Sequence, residues 1–121
     1  MYIFTMYIHM NYIDLDLPSG TLWAESFLQT SIFDLTEEQR ALMPTQRQYQ
    51  ELLDHCTFSD RVNYTLVERN GKHIKLPPRD GSELRYLITQ SKDSLCVMWN
   101  RRTYLVAIHL NQTHYAHFVR S

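Results

Sequence analysis

Three imidazoles are enough to hold a zinc ion, so His109, His114 and His117, gathered toward the C-terminal end, are the first residues to weigh for chemistry. Their spacing argues against a shared site. On a strand, His114 and His117 lie three positions apart, and their side chains leave opposite faces. They read as surface or half-buried histidines, and no metal ligand is assigned. Asp14 and Asp16 do fall on one strand face, and paired carboxylates serve calcium binding or acid catalysis. The plainer reading is the solvated side of an outer strand. His55 adjoins Cys56, but neighbours on a helix diverge by about 100°, which separates thiol from imidazole. Cys96 has apolar residues on both sides. No Ser-His-Asp arrangement emerges, so no catalytic residue is assigned and the chain reads as a non-enzyme that needs no cofactor.

Arg101 and Arg102 sit in a tight link, with Lys92 in the preceding one and Tyr86, Tyr104 and Tyr115 nearby. Basic residues interleaved with aromatics can bind nucleic acid or sugar. Twelve Lys and Arg against thirteen Asp and Glu leave a net charge of −1, which gives no overall field to attract a polyanion. Nucleic acid is therefore set aside. With only three isolated glycines, Gly20, Gly71 and Gly81, the usual phosphate-cradling loops are excluded as well. Two cysteines are too few for a disulfide scaffold, and Cys56 and Cys96 read as reduced core thiols. The N-terminal stretch is apolar, but it has no basic flank and no cleavage site, and His9 interrupts it. It reads as neither a signal peptide nor a membrane span.

The elements that must position these residues follow from hydrophobic periodicity. Tyr2–Ile8 is rich in aromatic and β-branched residues and reads as a strand. Tyr12–Leu17 alternates, with Ile13, Leu15 and Leu17 on one face. Pro18-Ser19-Gly20 is a turn, and Thr21-Leu22-Trp23 resumes a short strand. Residues 25–35 give no clean period. Thr36 with Gln39, and Thr45 with Gln48, are capping boxes. The second opens the best helix, Thr45–Cys56, where Tyr49, Leu52, Leu53 and Cys56 form one apolar stripe. Val62–Glu68 reads as a strand with Val62, Tyr64 and Leu66 on one face. Asn70-Gly71 predicts a hairpin that returns through Ile74 and Leu76. Asp80-Gly81 marks another turn. Strands at Leu84–Thr89, Ser94–Trp99, Thr103–Leu110 and His114–Arg120, with short links, predict an antiparallel meander. The class is α+β, with one principal helix packed on twisted antiparallel strands.

The run Tyr12-Ile-Asp-Leu-Asp-Leu-Pro-Ser-Gly-Thr-Leu-Trp23-Ala24 closely resembles the opening of the Fibrobacter succinogenes major paralogous domain, a family abundant in Bacteroidetes. Three more landmarks follow in order. Met43-Pro44-Thr45 steps into a helix carrying Glu51-Leu52 and Cys56. Asn70-Gly71 precedes Ile74-Lys75-Leu76-Pro77. Phe118-Val119-Arg120 matches the closing strand. The resemblance implies a C-type lectin-like fold over residues 12–121, with residues 1–11 as an N-terminal strand extension. It also implies a non-catalytic binding module for a surface glycan or protein, often in exported or cell-surface proteins. Calcium-binding lectins of that fold carry Trp-Asn-Asp. Here Trp99-Asn100-Arg101 puts a guanidinium where the acidic ligand would stand, so the segment reads as a turn. Relative to the family, the stretch after Trp23-Ala24 is shortened, Tyr86-Leu-Ile-Thr89 replaces a Tyr-Trp-Ser-Ser segment, and the glycine before the final Val-Arg is absent.

The expected ligand-binding residues are Trp23, Tyr86, Trp99, Arg101 and Tyr104, as exposed rings beside polar loops. The alternative is a structural or protein-interaction domain without a small-ligand pocket, because loop material has been lost. The uncharged strand Tyr2–Ile8 reads in two ways: it completes the monomer's own sheet beside Tyr12–Leu17, or it is an open edge that pairs in a homodimer, for which the apolar surface uncovered by the shortened 25–43 region is a second route.

Overall fold

The computed structural model describes residues 11–30, 34–78, 85–91, 93–107 and 114–121. The expected strand Tyr2–Ile8, the Asp80-Gly81 turn, Lys92, His109 and the link 111–113 lie outside the described residues. Eleven strands and two α-helices are assigned among the described residues. In chain order they are β1 Tyr12–Asp14, β2 Leu22–Ala24, β3 Leu28–Thr30, α1 Glu37–Arg40, α2 Gln46–His55, β4 Thr57–Asp60 and β5 Thr65–Arg69. There follow β6 Lys72–Leu76, β7 Arg85–Ile88, β8 Ser94–Trp99, β9 Arg102–Ala107, β10 His114–Ala116 and β11 Val119–Arg120. The sheet orders are β1-β2-β11, β3-β10-β7-β8-β9 and β4-β5-β6. The chain is α+β, with one principal helix packed against antiparallel and mixed sheets. No helix among the described residues is long and apolar enough to cross a membrane.

The predicted alternation after Tyr12 holds for burial: Leu15 and Leu17 are in the core, and Asp14 and Asp16 are exposed. The strand is nevertheless shorter than its pattern. Asp16 takes φ +56°, where β pairing stops. Its N–H donates to the Asp14 carboxylate at 2.9 Å, and the Arg69 guanidinium donates to the Leu15 and Asp16 carbonyls. The chain then closes a turn in which the Gly20 N–H donates to the Leu17 carbonyl at 2.9 Å. Gly20 sits at φ +78°, a conformation glycine reaches without steric cost.

Both capping boxes form. Thr36 and Gln39 exchange bonds of 3.1 and 2.9 Å, and Thr45 and Gln48 bonds of 3.2 and 2.9 Å. Each pair satisfies two backbone N–H groups that a helix start leaves open. The stripe on α2 is buried as its period predicts, with Tyr49, Leu52, Leu53 and the flanking Cys56 in one core cluster beside Leu15, Trp23, Val67, Ile74, Leu76, Leu87, Cys96 and Met98. Tyr49 satisfies its hydroxyl in that core by donating to the Ile88 carbonyl at 2.9 Å.

Three strand expectations need correction. First, β5 begins at Thr65 and buries Thr65 and Val67, the opposite parity to the one read from Val62, Tyr64 and Leu66. Val62 is 93% exposed, in the loop between β4 and β5. Second, residues 25–35 contain β3, which the mixed spacing of Phe27, Leu28, Ile32 and Phe33 did not signal. Third, the closing segment does not continue the meander beside β9. It breaks at His117 and Phe118. β10 pairs parallel to β7 and antiparallel to β3, while β11 pairs antiparallel to β2. Asn70 and Gly71 do form the expected hairpin turn, at φ +54° and +78°, with Ile74 and Leu76 buried on the return.

Candidate functional site

The β8–β9 hairpin turns on Asn100 and Arg101, both left-handed at φ +54° and +62°. Asparagine tolerates that region, whereas arginine has no such preference. Arg101 is held there at both ends. Its guanidinium donates to the Leu53 carbonyl at 2.6 Å, and its own carbonyl accepts from Gln50 Nε2 at 3.3 Å. Leu53 lies in the last turn of α2, where unpaired carbonyls favour a cation. Arg101, expected at a ligand site, is therefore turned onto the helix end and positions the hairpin.

The two-residue turn sets the register. Trp99 stands opposite Arg102, Val97 opposite both Tyr86 and Tyr104, and Leu95 opposite Val106. Residues directly opposite, and those two apart, share a face. Tyr86, Trp99 and Tyr104 thus emerge on one side of the β7–β8–β9 sheet, joined by Arg102. Trp99 is 49% and Tyr104 42% exposed, while Tyr86 is half-buried and packs on the second core cluster beside Leu95 and Ile88. The sequence reading began β9 at Thr103, one residue late, and so left Arg102 out of the site. Counting the turn as two residues would have put Arg102 opposite Trp99.

Trp23 does not join this face. It is fully buried, with its ring centroid 5.5 Å from Tyr49 and 5.3 Å from His117. Its assignment as a ligand residue is corrected: an indole enclosed by α2, β2 and the approach to β11 has no surface to offer. His114 and His117 are likewise fully buried rather than on or near the surface. His117 Nε2 lies 2.6 Å from the Ala24 carbonyl. Burial pushes its pKa down to about 4, partly opposed by that bond. Burial lowers the pKa of His114 too. Both cysteines are free and buried. Burial pushes Cys56 up to about 11 and Cys96 up to about 12, so both thiols stay protonated and are weak nucleophiles at neutral pH. Among the described residues, no three His, Cys, Asp or Glu side chains gather as a metal site.

The other face of β9 meets α2. Gln50 Oε1 accepts the Thr103 N–H and hydroxyl, each at 3.0 Å, and Gln46 Nε2 donates to the Thr103 carbonyl at 3.1 Å. One helical turn separates these glutamines, so together they stand in for a neighbouring strand at Thr103. A concavity of about 640 Å³ lies along the same outer face of α2, lined by Gln46, Arg47, Gln50, Glu51, Asp54, His55 and Thr103. Glu51 is committed to the Ser19 N–H and hydroxyl, at 3.0 and 2.6 Å. The aromatic residues lie on the opposite face of the sheet, so the candidate site is an open surface and not this concavity.

Comparison of the chain with protein-family models, with curated protein sequences and with solved structures finds no match.

Proposed function

We propose that the chain is a non-catalytic binding module whose aromatic face takes a surface glycan. The observation that carries this reading is the exposure of Trp99 and Tyr104 together on one sheet face, with Arg102 opposite Trp99. Flat rings offer apolar area to the C–H faces of a sugar while their polar tips stay wet, and a guanidinium supplies several donors in a fixed fork to hydroxyl oxygens. An open face suits an extended chain of sugars better than a small molecule, which usually needs enclosure on most sides. The resemblance to the Fibrobacter succinogenes major paralogous domain, with its C-type lectin-like fold, belongs to the same proposal. It is supported by where its landmarks fall. Tyr12–Ala24 makes the β1–turn–β2 unit, Met43-Pro44-Thr45 enters α2, Asn70-Gly71 turns β5 into β6, and Val119-Arg120 is β11.

A glycan array probed with the purified chain tests the reading. Retention on a defined set of glycans, lost in Trp99→Ala and Tyr104→Ala, is the expected result. If no glycan is retained, the glycan reading falls. A second reading, a protein-interaction domain without a small-ligand pocket, then stands on a different observation: Leu105 on β9 is 52% exposed, on the sheet face opposite the rings.

A further inference from the structure

Two hairpin tips among the described residues carry an asparagine in the left-handed region at the same φ of +54°, Asn70 between β5 and β6 and Asn100 between β8 and β9. They differ in the residue that follows. Asn100 precedes Arg101, which is pinned to α2 through its guanidinium, on the Leu53 carbonyl at 2.6 Å, and through its own carbonyl, on Gln50 Nε2 at 3.3 Å. Asn70 precedes Gly71, where the space a side chain would occupy is empty to 4 Å. Asn70 and Gly71 are both exposed, and no hydrogen bond is assigned to the Gly71 N–H among the described residues. A glycine nitrogen, with no Cβ beside it, can be approached closely. Of the five asparagines in the sequence, Asn70 alone is followed by glycine.

The β5–β6 tip also latches onto the turn that ends β1. Arg69 donates to the Leu15 and Asp16 carbonyls. Asn70 Nδ2 donates to Asp16 Oδ2 at 3.4 Å, and the Lys72 ammonium stands 3.8 Å from the same oxygen. We infer that Asn70 is a site of spontaneous deamidation, and that its conversion loosens this tip from the Asp16 turn. The Gly71 nitrogen loses its proton to solvent base and attacks Asn70 Cγ. A C–N bond forms, Nδ2 leaves as ammonia, and a cyclic imide results. Water then opens the ring. Attack at Cγ breaks the new bond and leaves aspartate. Attack at the Asn70 backbone carbonyl breaks the original peptide bond and leaves isoaspartate, with the chain running through the side chain. One water is consumed and one ammonia released. Ring closure needs the Asn70 backbone to leave its turn conformation, so the reaction follows brief openings of an exposed tip. Either product replaces the amide donor by a carboxylate facing Asp16. Isoaspartate also lengthens a turn whose two residues set the strand register. Lys72 offsets little of the repulsion, because it and Asp16 are 47% and 49% exposed and solvent weakens such pairs. The inference is independent of glycan binding, which lies with Trp99 and Tyr104 on another sheet.

Peptide mapping by mass spectrometry, after prolonged incubation of the purified chain in mildly alkaline buffer, reads the site. The mass change of an amide replaced by a carboxyl should map to Asn70 and leave Asn100 unchanged. The converted chains should separate on anion exchange, with one more negative charge than the −1 of the fresh protein. In Asn70→Gly, which suits a left-handed position, the converted fraction should disappear. An Asn70 that stays intact, or an Asn100 that converts as fast, would overturn the assignment. A double-mutant cycle reads the consequence. Asn70→Asp should lower the urea midpoint, and most of that loss should vanish when the same change is made in an Asp16→Asn background. A midpoint unmoved by Asn70→Asp, or a loss just as large without the Asp16 carboxylate, would overturn the loosening of the latch.

Discussion

Two parts of the molecule are built from nearly the same residue types and end in opposite environments. Trp23, Tyr49 and His117 cluster with no exposed surface between β2, α2 and the approach to β11. Trp99, Tyr104 and Arg102 share the outer hairpin of the large sheet, with both rings open to solvent. Aromatic content alone therefore does not mark a binding face. The deciding factor is what covers the sheet face. β2 is flanked on both sides, by β1 and β11, and covered by a helix. Trp99 on β8 also has a strand on each side, β7 and β9, yet it and Tyr104 on β9 stay exposed. The first trio holds the fold together; the second is free to meet something else.

The largest expected effect separates the two tryptophans. Trp23→Ala empties a fully enclosed site and should cost about 3–5 kcal/mol in urea unfolding. A cost below about 1 kcal/mol would show that the enclosed trio does not carry the core.

Protonation probes the same trio. The native His117 pKa is about 4, below the ordinary value of 6.5. Between those values the unfolded chain binds a proton that the folded chain refuses, so stability falls as pH falls. The contribution is complete above about pH 6.5 and gone below about pH 4, and integrates to about 3 kcal/mol. His117→Gln keeps a donor for the Ala24 carbonyl without a titrating ring. The variant should lose about that much of the difference between stability at pH 7 and at pH 4. Equal slopes in both proteins would refute the buried neutral histidine. His114, shifted the same way, contributes to both and cancels.

Much of the enclosed region was legible before any coordinates. The Thr45–Gln48 box and the Tyr49–Cys56 stripe are local signals at helical spacing, and both are realised. So is Asn70-Gly71, whose turn depends on two adjacent residues alone. β8 runs over Ser94–Trp99 as its composition implied. What failed depended on distant partners. The fates of Trp23 and His117 turn on β11 pairing with β2, nearly a hundred residues away in sequence. The parallel β7–β10 pair has no local signature. Val62 looked like a core residue because apolar type was taken as burial, when the strand's phase starts at Thr65. Tyr86, Trp99 and Tyr104 were grouped from composition, and the strand register puts them on one sheet face. Arg102 was displaced by a one-residue error in turn length, which moves a residue to the other face. The Gln46 and Gln50 clamp was invisible, since glutamines on a helix's polar side look like solvent-facing residues.

That clamp gives an intermediate effect at the boundary between the two regions. Gln50→Ala removes the acceptor for the Thr103 N–H and hydroxyl and the donor to the Arg101 carbonyl. At least one of these groups can regain water, so the loss should be about 1–2 kcal/mol. Hydrogen exchange at the Thr103 amide should accelerate at the same time, while the β8 amides facing β7 stay protected. Uniform acceleration across the sheet would mean that the clamp supports the whole fold and not one edge.

The smallest expected effect is on the exposed rings. In Trp99→Ala and Tyr104→Ala, solvent already covers about half of each side chain, the backbone register is fixed by Val97 and the Asn100-Arg101 turn, and no hydrogen bond is assigned to either side chain among the described residues. Each single variant should unfold within about 0.5 kcal/mol of the unaltered chain, although both are large-to-small changes at aromatic positions. The contrast with Trp23→Ala is then a difference of several kcal/mol between two identical substitutions. Measured by urea unfolding of each variant at one pH, a cost of 2 kcal/mol or more at Trp99 would place its ring in the core's energetics and remove the basis for reading this face as a binding surface. A neutral result leaves two exposed aromatic rings that folding does not require, which is the stability signature expected of residues kept for contact with a ligand.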